Sequence, residues 1–171
     1  MEQINNNNKR NLITVLGNNQ DSCLLTGDNR DVTEFLQVEN NELNSFREIN
    51  KENFRIKTGM NICVAYVKNS SSKLLLWGKT GENETGTIKL EFLDDIKKCS
   101  IGDSHVLLLS KKGDVYVTGE GNHGELGLAE QTRVERSTMN TLEFKMKISK
   151  IYAGIRASFF IDGTRLINQN I

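Results

Sequence analysis

The sequence predicts an all-β protein, a partial or half β-propeller of four-stranded antiparallel blades, and three observations carry that expectation. The first is the stretch Ser100 to Leu128. Val106 to Leu109 reads as a strand, Lys111-Lys112-Gly113-Asp114 as a tight turn, Val115 to Thr118 as a second strand and Gly119 to Gly127 as a glycine-punctuated loop. The second is recurrence. Thr58-Gly59-Met60-Asn61 stands before Ile62 to Val67 and, after a longer turn, Leu74-Leu75-Leu76-Trp77-Gly78; Ala153-Gly154 stands before Ala157 to Ile161, Asp162-Gly163 and Arg165-Leu166-Ile167. Near the start, Leu12 to Leu16 runs into Gly17-Asn18-Asn19-Gln20-Asp21, the second half of the same unit. The third is spacing: Gly59, Gly102 and Gly154 stand 43 and 52 residues apart and Gly78 and Gly119 stand 41 apart, the periods of a propeller blade. Two strands cannot bury a face alone, so a unit of this size must stack on its neighbours.

The best-formed unit carries Ile101-Gly102-Asp103-Ser104-His105, then Lys112-Gly113-Asp114-Val115-Tyr116, then Gly119-Glu120-Gly121-Asn122-His123-Gly124-Glu125-Leu126-Gly127. This order resembles the repeat of the regulator of chromosome condensation family, whose members form β-propellers, commonly of seven blades. The unit around Gly59 keeps Trp77-Gly78 and Gly86 and has Ile62 where the family usually has histidine; the one around Gly154 has Ala157 there. About three and a half units cover most of residues 12–170. An all-β domain with glycine-rich hairpins is the bland alternative, but it does not require the glycine, turn, aromatic, glycine order to recur. A propeller left open exposes strand edges and the apolar faces between blades. Three expectations follow: a piece of a longer protein, a half-ring completed by a second copy or a partner, or a divergent compact domain. A two-fold homodimer would bring the count to about seven blades.

Taken in order, residues 1–11 are polar and Asn-rich and read as a flexible lead, and the propeller-repeat domain spans 12–171. Leu12 to Leu16 is the first strand, and Asn18 to Asp31 is mostly turn, with Leu24-Leu25 a short anchor. Residues 32–57 hold two or three short strands around Phe35, Phe46 and Phe54, with a brief helix at Asn41 to Ile49 as the competing reading. Ile88 to Phe92 and Ile96 to Cys99 are two strands with Leu93-Asp94-Asp95 turning between them. Ala129 to Asn140 has few apolar anchors and mixed charge, which predicts a solvent-facing connection suited to a contact loop. Leu142 to Met146 and Ile148 to Tyr152 lead into the final unit.

Composition narrows function by exclusion. The 22 basic and 22 acidic residues cancel, with no long basic run, so neither nucleic acid nor an anionic membrane surface is an expected partner. No stretch has the apolar core of a signal peptide or the length of a transmembrane span, and the expected compartment is the cytoplasm. Cys23, Cys63 and Cys99 are odd in number and widely spaced, reading as small apolar residues in reducing surroundings rather than a disulfide framework or a zinc site.

Candidate residues are accordingly architectural. Gly17, Gly59, Gly78, Gly102, Gly119, Gly124, Gly127 and Gly154 are expected to supply positive φ or close backbone approach where strands hand over. Trp77, Tyr116 and Phe160 are expected to pack between blades. His105 starts a buried strand and should bond a neighbouring backbone group, tying adjacent repeats together. Glu120, Asn122, His123, Arg133 and Arg136 are the candidate contact residues. No catalytic or metal cluster emerges and no cofactor is expected. Ser104 beside His105 points to the opposite face of a strand and lacks a G-x-S-x-G elbow, and the Gly119 to Gly124 loop lacks the lysine and following helix of a phosphate loop. The leading function is a non-enzymatic protein-protein interaction scaffold that assembles with itself or with a protein partner. The resemblance adds guanine-nucleotide exchange on a small GTPase as an alternative, and a small hydrolase is the weakest reading.

Overall fold

The computed structural model describes residues 13–38, 43, 52–79, 85–129, 132–135 and 137–163. The polar lead, the strand or helix around Phe46 apart from Leu43, Arg136 and the last strand at Arg165 to Ile167 lie outside the described residues. Twelve strands are described: β1 (Ile13–Gly17), β2 (Val32–Val38), β3 (Phe54–Thr58), β4 (Ile62–Val67), β5 (Ser71–Lys79), β6 (Thr85–Ile101), β7 (His105–Ser110), β8 (Val115–Glu120), β9 (Arg133–Val134), β10 (Asn140–Leu142), β11 (Ile148–Ala153) and β12 (Ser158–Asp162). All their pairings are antiparallel. Strands β1 and β2 pair, β11 and β12 pair, and between them runs one hydrogen-bonded path β10-β8-β7-β6-β5-β4-β3 with β9 on β8.

That path is two blades joined by one strand. The N-terminal half of β6 pairs with β5, from Lys79↔Thr85 to Lys73↔Glu91, and its C-terminal half pairs with β7, from Lys98↔Leu109 to Ile101↔Val106. The first blade is therefore β3, β4, β5 and the start of β6; the second is the end of β6, then β7, β8 and β10. Here the structure differs from the sequence expectation, because Leu93-Asp94-Asp95 does not turn but lies within a continuous strand. The transfer is made at Ile96, whose amide donates to the Ser70 carbonyl at 3.3 Å while its own carbonyl accepts from the Asn69 amide at 2.7 Å. Asp94 and Asp95 face the turn after β7, where they meet Lys112 at 2.6 Å and Lys111 at 3.0 Å. Acids that read as turn formers are instead clamps on a strand crossing between blades.

Strict alternation along the inner strands builds separate cores on their two faces. Ile62, Val64 and Tyr66 of β4, with Leu74 and Leu76 of β5, pack against Cys99, Val106 and Leu108 of the second blade. The intervening residues Cys63, Ala65, Leu75 and Trp77 turn the other way, toward Leu43, Ile13, Cys23 and Leu25. In the second blade, Leu107 and Leu109 of β7 and Val115 and Val117 of β8 pack on Ile148, Ile151 and Phe160. Every residue of β4 and of β7 is buried as a result. Each fully buried Leu, Ile or Val adds roughly 1.5–3 kcal/mol, so contact between blades, rather than within one, holds the molecule together. The Ala129 to Asn140 connection departs from expectation at one point: β9 pairs with β8, and Val134 is buried in the β7–β12 core.

Candidate interaction face

One end of the blades is formed by the loops after the first and third strands of each unit, and these loops share a backbone. Gly59 N–H donates to the Ile62 carbonyl at 2.7 Å, Gly102 N–H to the His105 carbonyl at 2.9 Å and Gly154 N–H to the Ala157 carbonyl at 2.8 Å. The three leading glycines thus open three equivalent turns, and neighbouring turns touch. A Cβ on Gly59 would stand 2.5 Å from the Gly102 carbonyl oxygen, and one on Gly102 would overlap the His105 ring and meet the Gly154 carbonyl oxygen. Glycine is required at 59 and 102 by this close approach. At Gly154 the architectural expectation fails: φ is not positive, and a Cβ would meet only the Ala157 oxygen at 3.7 Å.

The third strands end on a second set of glycines. Gly78 lies opposite Ile62 and Gly119 opposite His105, with φ of 106° at both and 121° at Gly17. A Cβ on Gly119 would overlap the Ser104 carbonyl. The loop that follows folds around its own apolar residue: Gly121 N–H donates to Thr132, Gly124 N–H to Gly121 and Gly127 N–H to Gly124, while Leu126 is buried in the β7–β12 core. Gly124 and Gly127 have φ of 88° and 66°. Residues 17–25 have the same form, with Ser22 and Leu25 at φ of 55° and 58° in place of those two glycines and Ser22 N–H donating to Asn19 as Gly124 donates to Gly121. Buried Asn19 completes that loop through its side chain, donating to Thr26 Oγ1 and the Asp28 carbonyl and accepting from the Leu24 amide, each at 2.8 Å.

The candidate residues divide by depth. His105 is 1% exposed, and its Nε2 lies 3.1 Å from Ser158 Oγ in β12, a side chain of the next strand pair rather than the backbone group expected. Ser158 Oγ donates onward to the Glu125 carbonyl at 2.7 Å. Its single proton being committed there, His105 Nε2 carries the hydrogen that Ser158 accepts. Burial holds the His105 ring below its ordinary value of 6.5, and the Glu125 and Asp103 carboxylates oppose that shift only in part. Glu125, which the sequence reading passed over, has its carboxylate buried. Burial pushes it up, but its own amide, the His123 amide at 2.8 Å and the His123 ring at 3.3 Å outweigh this and hold it below its ordinary 4.5. Asn122 and His123 stand exposed beside it, Glu120 is half-buried, and Arg133 is exposed on β9. Arg136 lies outside the described residues.

Trp77 anchors the neighbouring loop, its Nε1–H donating to the Cys23 carbonyl at 2.8 Å. Tyr116 packs beside the β4–β7 core with its hydroxyl on Asp94, and Phe160 packs on the β7–β12 core. Among the described residues, no group of three or more His, Cys, Asp and Glu is gathered to hold a metal ion, and no helix is long and apolar enough to cross a membrane.

Residues 96–125 match the regulator of chromosome condensation (RCC1) repeat. The chain is 28% identical over 121 residues to the X-linked retinitis pigmentosa GTPase regulator of Canis lupus familiaris, covering 69% of this chain and 12% of that protein. Among solved structures it is similar to human WBSCR16, with a TM-score of 0.62 at 14% identity over 90% of this chain and 40% of that one. It is also similar to Prp20p of Saccharomyces cerevisiae, for which binding to Gsp1p and histones is described, with a TM-score of 0.62 at 16% identity over 88% of this chain and 39% of that one. The chain spans about an eighth of the dog relative's length and about two fifths of these solved chains.

Proposed function

We propose that this chain, a partial β-propeller carrying regulator of chromosome condensation repeats, is a non-enzymatic protein-interaction scaffold whose exposed blade face receives a further blade of the same kind. The observation that carries this reading is the outer face of β11–β12. Phe160 and Ile151 face one another on the side packed against the second blade. Tyr152 and Phe159, paired across the strands, and Ile161 turn the other way and are 44%, 60% and 46% exposed. In β7 the corresponding alternate residues are all buried by a neighbouring blade. A matching apolar face lies on β1–β2, where Leu16 and Phe35 are 56% and 81% exposed on the side turned from Ile13. Aromatic and aliphatic side chains gathered this way belong under a partner.

The hydroxyl of Ser158 sends its proton to a carbonyl and receives one from His105, the reverse of what an activated nucleophile needs, so this pair supports tethering rather than hydrolysis. With the chain alone in solution, the further blade is supplied by a second copy. Sedimentation equilibrium at micromolar concentration is expected to show reversible association that the double variant Phe159→Asp, Ile161→Lys abolishes while circular dichroism stays that of a β protein. A wild-type monomer at every concentration would overturn the reading.

A second reading, regulation of a small GTPase, is favoured by the name of the dog relative and by the presence of the glycine-turn loops on one rigid end. Release of labelled guanine nucleotide from a panel of small GTPases tests it. Acceleration by wild type that is lost on Asn122→Ala, His123→Ala supports exchange, and unchanged release across the panel excludes it.

A further inference from the structure

The loop at residues 17–25 and the loop at 119–127 share a backbone, and each hands a carbonyl to the next blade at the same place. Aligned on Gly17 and Gly119, Cys23 stands where Glu125 stands; aligned on the leading glycines Gly59 and Gly154, Cys63 stands where Ser158 stands. Ser158 Oγ donates to the Glu125 carbonyl at 2.7 Å, and Cys63 Sγ reaches the Cys23 carbonyl at 3.8 Å. One inter-blade staple is therefore built twice, once with serine and glutamate and once with two cysteines.

The local structure holds both side chains in one cluster with Trp77 and Leu25, Cys63 Sγ lying against the Cys23 backbone. Trp77 Nε1 holds the Cys23 carbonyl, and the side chain of buried Asn19 accepts the next amide, from Leu24. Residues at positive φ stand on either side of Cys23, Ser22 immediately before it and Leu25 two residues on. Gly78 has no side chain, and Cys23 Sγ occupies the space one would take, 2.9 Å from where its Cβ would be. Trp77, which holds the Cys23 carbonyl, lies directly opposite Cys63 in the β4–β5 ladder, and Cys23 packs against the same cluster as Cys63.

From this juxtaposition we infer that Cys23 and Cys63 are a disulfide-forming pair, oxidised by hydrogen peroxide, which locks the 17–31 loop onto the first blade. The half-exposed Cys23 is the thiol the oxidant reaches, whereas Cys63 is buried and its thiol is held well above the ordinary range by its hydrogen bond with the Cys23 thiol and by burial. The Cys23 sulfur attacks one peroxide oxygen; the O–O bond breaks, the other oxygen leaves as water, and Cys23 becomes a sulfenic acid. Cys63 sulfur then displaces the hydroxyl from Cys23 sulfur, its thiol proton leaving with that hydroxyl as a second water. Two thiols lose two electrons and two protons, and one peroxide becomes two waters. Cys99, fully buried among Ile96, Val106 and Leu108 with its thiol pushed up to about 12, is the internal control.

The experiment treats the folded chain with hydrogen peroxide, removes the peroxide, unfolds the chain in denaturant with an alkylating reagent to block remaining thiols, and maps peptides without reduction. The expected result is an intramolecular Cys23–Cys63 peptide as the dominant product, with Cys99 alkylated, reversal by dithiothreitol, and no such product in Cys23→Ser. In Cys63→Ser, Cys23 is expected to be trapped as sulfenic acid by a dimedone-type probe. If that variant does not fold, the wild-type map and its Cys99→Ser counterpart, expected to be identical at Cys23 and Cys63, decide alone. Cys23 and Cys63 both recovered alkylated, a link involving Cys99, or links only between molecules would overturn the inference.

Discussion

At Gly119 the requirement is local. Its φ of 106° is one that residues with a Cβ rarely adopt, and the space a side chain would enter is filled by the Ser104 carbonyl. Gly102 reaches the same requirement by contact alone, since the His105 ring covers it. Valine at either position is expected to cost about 1–3 kcal/mol and to loosen the fold. Gly86, with open space where a Cβ would go and no left-handed φ, serves as the contrast, and alanine there should stay within about 0.5 kcal/mol of wild type. Urea midpoints of the three variants check this, and equal losses at all three would remove the argument.

Strands are joined across blades by single polar contacts set among apolar ones, and His105–Ser158–Glu125 is the clearest. His105→Ala removes a buried hydrogen bond and opens space against Gly102, and it is expected to lower stability by about 1–2 kcal/mol. Because burial lowers the folded-state value of His105 below its ordinary 6.5, the unfolded chain binds the proton more readily. The associated stability is full above pH 6.5 and is lost as the pH falls through the window below it. Glu125 is also lowered, from 4.5, so its contribution is full above that value and is lost in a separate, more acidic window. Denaturation followed between pH 7.5 and 5.5 is expected to show a decline in wild type that is flattened in His105→Ala; parallel curves would assign the decline to other groups.

For the molecule as a whole, stability resides between blades, and the proposed association would use the uncovered faces. Leu108 lies in the core between the two complete blades, and Leu108→Ala is expected to cost about 2–5 kcal/mol. Phe159 is 60% exposed, so in dilute solution Phe159→Ala should change the unfolding free energy by no more than about 0.5 kcal/mol. The proposed association of copies at higher concentration should be weakened by the same change. Chemical denaturation of the two variants across a dilution series separates these effects, and a Phe159→Ala that destabilises the dilute chain as much as Leu108→Ala would mean that face is already covered.

The blade, its order and its glycines other than Gly154 were legible in the sequence because alternation and glycine placement are local consequences of backbone geometry. Ile62 to Val67, Val106 to Leu109 and the 119–127 loop lie where periodicity and turn chemistry put them. The all-β, partial propeller architecture is that of the structure, whose fold is shared with about two fifths of each similar solved chain. What sequence reasoning could not decide depends on which face meets which neighbour. Leu93-Asp94-Asp95 has the composition of a turn, yet lysines brought in from the β7–β8 turn keep it extended between two blades. Val134 looked like part of a polar connection until β8 offered it an edge. The partner of His105 is a serine 53 residues away, and the kinship of Cys23 with Glu125 is written in φ rather than in residue type. Local chemistry chose the strands and turns; contacts between distant blades chose which polar groups are buried together, and so where the chain's tethers and its cysteine pair lie.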